Sequence, residues 1–219
     1  MWCVPKLTSE FIERMEHLLD VYALPYNPQE PVICIDEKSK QLIADTRTTL
    51  PMTAHAQRRH DYEYKRNGTR NIFCAVEPKG GRRTITVTNR RTKRDFAQFV
   101  KKLIERNYAE AEVIHIVCDN LNTHNARSFQ ETFGKEETQR LLERIRFHYT
   151  PKHASWLDMA EIELSVLSRT AIQGRIPNET ELKNRIRRFQ KARNQQKKTI
   201  DWKFTKEIAR TRMKYKVQN

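Results

Sequence analysis

Two short apolar runs in this chain each end on an aspartate. Val32-Ile33-Cys34-Ile35 leads into Asp36, and Val113-Ile114-His115-Ile116-Val117-Cys118 leads into Asp119. Runs of this length, rich in β-branched residues, read as strands. A third acidic residue, Glu161, sits in Ser155-Trp156-Leu157-Asp158-Met159-Ala160-Glu161, which reads as the opening of a helix. Two carboxylates at strand ends and one on a later helix can converge on a pair of magnesium ions.

The remaining elements follow from periodicity. Phe11, Met15, Leu18, Leu19 and Tyr22 lie at helical spacing, so 8–22 is expected to be an amphipathic helix capped by Thr8 or Ser9. Pro25, Pro28 and Pro31 make an extended connector. Strands are expected at 31–36, 69–77 and 82–88, with Gly80-Gly81 turning a hairpin between the last two. A helix at 92–108, capped by Thr92, precedes a strand at 113–118. Helices at 125–133 and 135–144, a strand at 145–149 and a helix at 157–172 follow. The tail reads as two basic helices, 178–197 and 204–216. Three antiparallel strands, then helix, strand, helices, strand and helix, fit an α/β fold: a ribonuclease-H-like mixed sheet flanked by helices. The expected divisions are an N-terminal helix and connector (1–30), a catalytic domain (31–172) and a basic helical C-terminal extension (173–219).

Charge is the second constraint. The chain of 219 residues carries a net +15. From Ser168 to Asn219 there are 16 Lys/Arg against 4 Asp/Glu, so this segment holds +12 of the total. Basic charge concentrated in one segment is the footprint of a polyanion binder; a solvated helix face is the plainer alternative. No apolar run approaches the roughly 20 residues that span a bilayer, so no membrane partner is expected. The N-terminus lacks a signal-peptide stretch, and the expected location is cytoplasmic. Four cysteines (3, 34, 74 and 118) form no Cys-x-x-Cys pair, which argues against a zinc ribbon. Cys34 and Cys118 read as small buried hydrophobes.

Residues 39–68 are expected to form a long loop. Arg47, Arg58, Arg59, His60, Lys65 and Arg66 alternate there with Tyr62 and Tyr64. Basic residues interleaved with aromatics suit a DNA-contacting loop, and a mobile solvated loop is the alternative.

Cutting a phosphodiester requires one oxygen to be activated and another stabilised. Two divalent ions about 3.5–4 Å apart do both when carboxylates hold them. Magnesium takes hard oxygen ligands, which makes Asp36, Asp119 and Glu161 the candidate set. The polar run Asp119-Asn120-Leu121-Asn122-Thr123-His124 suits an active-site loop in which His124 meets phosphate or orders the loop. An Asx-turn with a capping histidine is the structural alternative. Glu163 lies about 200° around the helix from Glu161 and is not expected on the metal face. Lys152, His153 and Trp156, just before the Glu161 helix, are expected to line a DNA channel. Trp156 equally suits a core anchor for its loop.

Several long strings carry a family resemblance: Ile35-Asp36-Glu37-Lys38-Ser39-Lys40-Gln41-Leu42-Ile43, Tyr62-Glu63-Tyr64-Lys65-Arg66-Asn67-Gly68-Thr69, Cys118-Asp119-Asn120-Leu121-Asn122-Thr123-His124, and His148-Tyr149-Thr150-Pro151-Lys152-His153-Ala154-Ser155-Trp156-Leu157-Asp158-Met159-Ala160-Glu161-Ile162-Glu163. Over about residues 1–215 the chain resembles the catalytic domain of DDE-type transposases, in the bacterial insertion-sequence branch related to mariner elements. The resemblance implies a catalytic triad of Asp36, Asp119 and Glu161, the last two 42 positions apart. It implies Mg2+ or Mn2+, as two ions, hydrolysis at element ends, transfer of a 3′-hydroxyl to target DNA, and TA targets. It also implies double-stranded DNA as partner and a homodimer. A helix-turn-helix partner encoded separately would recognise the element's ends. One departure stands out: Asp158 occupies a position where the family usually has Asn. A truncated, non-catalytic DNA-binding protein is the alternative function, and a stand-alone nuclease of the same fold a third.

Overall fold

A computed structural model describes residues 7–48, 50–57, 59, 61–119 and 123–215. Its centre is a five-stranded mixed sheet. The strands are β1 (Val32–Asp45), β2 (Tyr64–Glu77), β3 (Arg82–Thr88), β4 (Ile114–Cys118) and β5 (Ile145–Tyr149). They lie in the order β3-β2-β1-β4-β5. β1 pairs antiparallel with β2, and β2 with β3. β4 runs parallel to both β1 and β5.

The helices are α1 (Ser9–Ala23), α2 (Lys93–Asn107), α3 (Ala126–Phe133), α4 (Lys135–Leu142), α5 (Met159–Thr170), α6 (Glu179–Gln195) and α7 (Lys206–Met213). Their starts are chemically marked. Thr8 caps α1 by accepting the Phe11 N–H, and Thr92 with Asp95 forms a reciprocal capping box on α2. Asn178 caps α6 and Thr205 caps α7 in the same way. Gly81 closes the β2–β3 turn at φ +71°, donating its N–H to Glu77 O over 2.8 Å. A Cβ there would stand 2.6 Å from the Lys197 carbonyl oxygen, so the turn requires glycine.

Strand alternation sorts side chains to two faces. Ile33, Ile35, Phe73, Ala75, Ile114 and Ile116 face α2, α3 and α4, where Phe96, Phe99, Val100, Leu103 and Phe129 meet them. Cys34, Val76 and Val117 face the other way, against α1, the 154–160 segment and Ala209 of α7. Farther along that second face, Leu42, Ile72 and Cys74 pack on Leu164 and Leu167 of α5 and on Ile172, Ile176, Leu182 and Ile186. The described part of the C-terminal extension, residues 173–215, therefore contributes to the same two-sided core as the sheet. Cys34, Cys74 and Cys118 are free and buried.

Two expectations need correction. The stretch 39–68 is not a loop throughout: β1 runs on to Asp45 and β2 begins at Tyr64, leaving 46–63 as the connection. Lys65 and Arg66 thus sit on a strand. The polar sequence hides the alternation because tertiary contacts hold this ribbon. Leu42 is buried against α5 and α6, a register shift falls between Gln41 and Ile43, and Ile43 donates its N–H to Ile176 O at 2.8 Å. Arg175 then braces Asp45 at 2.6 Å. The second correction is the start of α5. Residues 155–157 form a 3-10 turn, and the helix begins at Met159 because Asp158 caps it. Among the described residues, no helix is long and apolar enough to cross a membrane.

Candidate active site

Register and alternation together bring the carboxylates into one place. Cys34 of β1 lies opposite Val117 of β4, and both side chains point to the α5 side. Two residues on, Asp36 keeps that face within β1, and Asp119 follows directly after β4, near enough for its charge to reach Asp36. Glu161 lies in the first turn of α5, which packs across β1 and β2. Burial, followed by the charges of Glu37, Glu161 and Asp119, pushes the Asp36 carboxyl up to about 7, against a hydrogen bond from the Glu37 N–H at 2.7 Å.

Asp158 is a fourth carboxylate in this group. Its Oδ1 accepts the Ala160 N–H at 2.8 Å, which accounts for its capping role. Its Oδ2 is buried without a hydrogen-bond partner among the described residues. Burial, then the charge of Asp36, holds its carboxyl well above the usual range. A protonated Asp158 has nearly the shape of asparagine, an acceptor oxygen beside a donor, but one donor hydrogen where the amide has two.

His124 lies beneath the site, its side chain only 1% exposed. Its Nδ1 meets Asp119 Oδ1 at 2.6 Å, and its Nε2 stands 3.2 Å from Glu37 Oε2. Its ring packs on Phe96 with centroids 4.3 Å apart. Burial opposes the charged form, but the hydrogen bond to Asp119 and the close Glu37 carboxylate outweigh it and raise the imidazole to about 9. In this conformation His124 is too deep to meet phosphate, and it bridges Glu37 within β1 and Asp119 just after β4. Asn120 and Asn122 lie outside the described residues.

Glu163, on the other side of α5, is fully buried with Arg83 of β3 at 3.0 Å. Arg193 of α6 reaches the same carboxylate through Nε and one terminal nitrogen, each at 2.9 Å. Burial alone would raise the Glu163 carboxyl, but the hydrogen bonds from Arg193 and Arg83 bring it below its ordinary value. This ion triad fixes the rotation of α5, and with it the direction of Glu161. Neither Glu37 nor the triad was anticipated as part of the site. The available signals were the Asp36-Glu37 pair and the two-residue offset of Glu163 from Glu161.

The remaining candidates divide by exposure. Lys152 and His153 are exposed on the turn before α5, and His153 sits at φ +64°. Trp156 is half-buried and meets Phe204 edge-on at 5.3 Å, so it ties the turn to the segment leading into α7. Lys65 and Arg66 are exposed on the ribbon, with Arg66 over the Tyr64 ring at 5.7 Å. Arg59 is exposed on the 46–63 connection, bridged to Leu50. Arg58 lies outside the described residues.

Residues 31–183 match the family model described as DDE superfamily endonuclease. The chain belongs to this family. Solved structures of similar fold include the Mos1 mariner paired-end complex with Mn (13% identity, TM-score 0.57) and a pre-cleavage Mos1 transpososome (13% identity, TM-score 0.57). The Mos1 strand transfer complex is a third, at 13% identity and TM-score 0.53. Each alignment covers 88% of this chain; the first two cover 58% of the Mos1 chain and the third 57%. No curated protein sequence matches. The likeness establishes the fold: a ribonuclease-H-like mixed sheet flanked by helices.

The donor set suits a hard divalent cation. Asp36, Asp119, Asp158 and Glu161 offer only carboxyl oxygens, and the charges of Asp119 and Glu161 help to raise the proton affinity of Asp36 and Asp158. The orphaned Oδ2 of Asp158 belongs to the same group. Among the described residues, no three acidic, His or Cys side chains already stand at metal-binding geometry, so side-chain rotation would have to complete a cation site.

Proposed function

We infer that this endonuclease-family chain is the catalytic domain of a DNA transposase, in the insertion-sequence branch of the mariner-related superfamily. The observation that carries this reading is the levelling of Asp36 and Asp119 at neighbouring parallel strands, with Glu161 brought over them by α5. Asp36 and Asp119 would ligate Mg2+ or Mn2+, and Glu161 would complete the second of two sites. When bound, two such ions polarise the scissile phosphate and lower the pKa of the attacking water or 3′-hydroxyl. Solved Mos1 complexes with Mn and with Mg support the choice of ion.

The chain's own residues do the placing. His124 holds Asp119, and Glu37 holds His124. The Glu163 triad sets α5. Lys152 and His153 flank the entrance to α5, while Arg59, Lys65 and Arg66 supply positive charge along the ribbon and its connection; these five, and Arg58 next to Arg59 in sequence, would meet DNA phosphate. Trp156 supports their turn from behind. Double-stranded DNA is the substrate on this reading, and a homodimer that brings two element ends together is the assembly it implies. A separately encoded helix-turn-helix chain would supply end recognition, and the domain would work in the cytoplasm. A non-catalytic DNA-binding protein is the second reading. It is favoured by Asp158, a fourth carboxyl that burial and Asp36 hold toward its protonated form, so that it offers a cation a neutral oxygen rather than a charge.

Nicking of supercoiled plasmid with Mg2+ or Mn2+, comparing the chain with Asp119→Asn, separates the two. Metal-dependent nicking that the variant loses, with its fold intact, supports catalysis. Nicking that survives in Asp119→Asn sinks the triad, and no nicking with or without a helix-turn-helix partner supports the second reading.

A further inference from the structure

Three histidines far from the carboxylates form a line across α1, β5 and β4. His17 Nε2 stands 2.9 Å from His148 Nδ1, and His148 Nε2 stands 2.9 Å from His115 Nδ1. The rings follow one another at 5.1 Å for each pair. His17 is exposed, and it opens with His148 onto a surface groove of about 630 Å³ that Glu10, Glu13 and Arg14 also line. Arg14 is paired with Glu10 at 2.8 Å, which offsets its charge. Glu13 lies one helical turn before His17, at the i, i+4 spacing that puts both on one face of α1.

The geometry points to a binding site for one first-row transition-metal ion of the Zn2+ class, held by His17 Nε2 and His148 Nδ1 and completed by the Glu13 carboxylate and water. Imidazole nitrogens suit zinc, nickel and copper, whereas magnesium seeks carboxylates, so this ion would differ from the one at Asp36 and Asp119. Zinc binds imidazole nitrogen at about 2.0–2.1 Å in a tetrahedron, which sets two ligating nitrogens roughly 3.3 Å apart. The existing 2.9 Å therefore needs to open by a few tenths of an ångström. No third ligand is already in place among the described residues, and Glu13 must swing into the groove to supply it.

His115 decides the tautomer. If His148 Nε2 carries its hydrogen and donates it to His115 Nδ1, the lone pair of His148 Nδ1 points at His17. A ligating histidine whose far nitrogen is held by a hydrogen bond is the usual arrangement around protein-bound metals. Burial, followed by the charges of His115 and His17, lowers His148 to about 4, which keeps it neutral as a ligand must be. A metal here would pin α1 to the edge strand β5. α1 in turn supports the approach to α5, because Tyr22 donates its hydroxyl to Leu157 O at 2.7 Å.

The test is titration of the full chain, free of any histidine tag, with ZnCl2 and with CoCl2. Calorimetry and the visible bands of tetrahedral Co2+ are the readouts. The Asp119→Asn background weakens the carboxylate site without touching the groove. One Zn2+ is expected to bind in that background. His115→Phe should weaken binding about 10–100-fold, and His17→Ala or His148→Ala by more than that. Zn2+ heat equal in Asp119→Asn and in Asp119→Asn/His17→Ala overturns the site. A second measurement needs no groove variant: the imidazole nitrogen resonances of His17 and His148 should shift on addition of one equivalent of Zn2+. Unmoved resonances leave the line as hydrogen bonds only and overturn the proposal.

Discussion

At the scale of single residues, the site depends on who holds the carboxylates as much as on the carboxylates themselves. His124 is the only described side chain that touches both Asp119 and Glu37. His124→Ala would leave the Glu37 carboxylate, 3% exposed, with Arg91 at 3.7 Å on its other oxygen and no described partner at the oxygen His124 now faces. Loss of a partner from a buried charged group costs about 1–3 kcal/mol or more, which denaturant titration would read. Nicking should fall while DNA affinity holds, since His124 does not reach the surface. An equal loss of both would point instead to collapse of the loop. Asp119→Asn should abolish nicking and leave the melting curve cooperative. His124 also shows where reading by residue type stops: a histidine after Asp119-Asn120 suits phosphate contact or loop order equally well. Only the packing of Phe96 and Glu37 around it decides between them, and those residues lie 28 and 87 positions away in sequence.

At the scale of elements, α5 is set by a fully buried ion pair and by the helix behind it. Glu163→Ala would leave Arg83 charged and enclosed, at a cost of about 3–5 kcal/mol. Arg193→Ala should cost less, because Arg83 still pairs with Glu163. Equal losses in the two variants would refute this account. The histidine line gives α1 and β5 an acid sensitivity. His148 is lowered to about 4 from 6.5, so the unfolded chain takes the proton more readily. The stabilising contribution is therefore present above pH 6.5 and lost as pH falls through about 4. Its size is of order 1–3 kcal/mol after allowing for partial exposure. The loss of stability between pH 7 and 4.5 should be shallower in His148→Phe, and identical slopes would exclude the histidine as the cause.

Most of these elements were legible because the apolar spacing is clean. Phe11 to Tyr22 and Phe96 to Ile104 each mark one stripe, and Thr8 and Thr92 mark where the helices start. The ends of β1 and β2 were not legible. Gln41, Ala44, Lys65 and Arg66 alternate without an apolar face, and what makes them strand is Leu42 held under α6 and Ile43 bonded to Ile176, contacts 130 or more positions apart in sequence. Asp36, Asp119 and Glu161 could be named from their settings. That they are level could not, because the β1–β4 register sets it.

At the scale of the whole molecule, the basic charge lies on both the ribbon and the C-terminal helices. If Lys65 and Arg66 meet phosphate, replacing both with alanine should reduce the slope of log Kd against log salt by about 1.8. An unchanged slope would remove the ribbon from the DNA surface. The basic helices are not an appendage in this structure: Leu182 and Ile186 of α6 and Ala209 of α7 are buried with the sheet and α1. Arg193 joins α6 to Glu163, two residues from Glu161. Charge that would attract a nucleic acid and the acid that would act on it are thus mounted on adjoining helices.

β1 is a single strand from Val32 to Asp45, and Asp36 lies within it. The strand is both the floor of the site and one arm of the ribbon, so the ribbon is a lever with its load at the tip and Asp36 near the fulcrum. The register shift beside Leu42 lies between them. A pull on the ribbon would reach Asp36 along the peptide chain itself, with no intermediary.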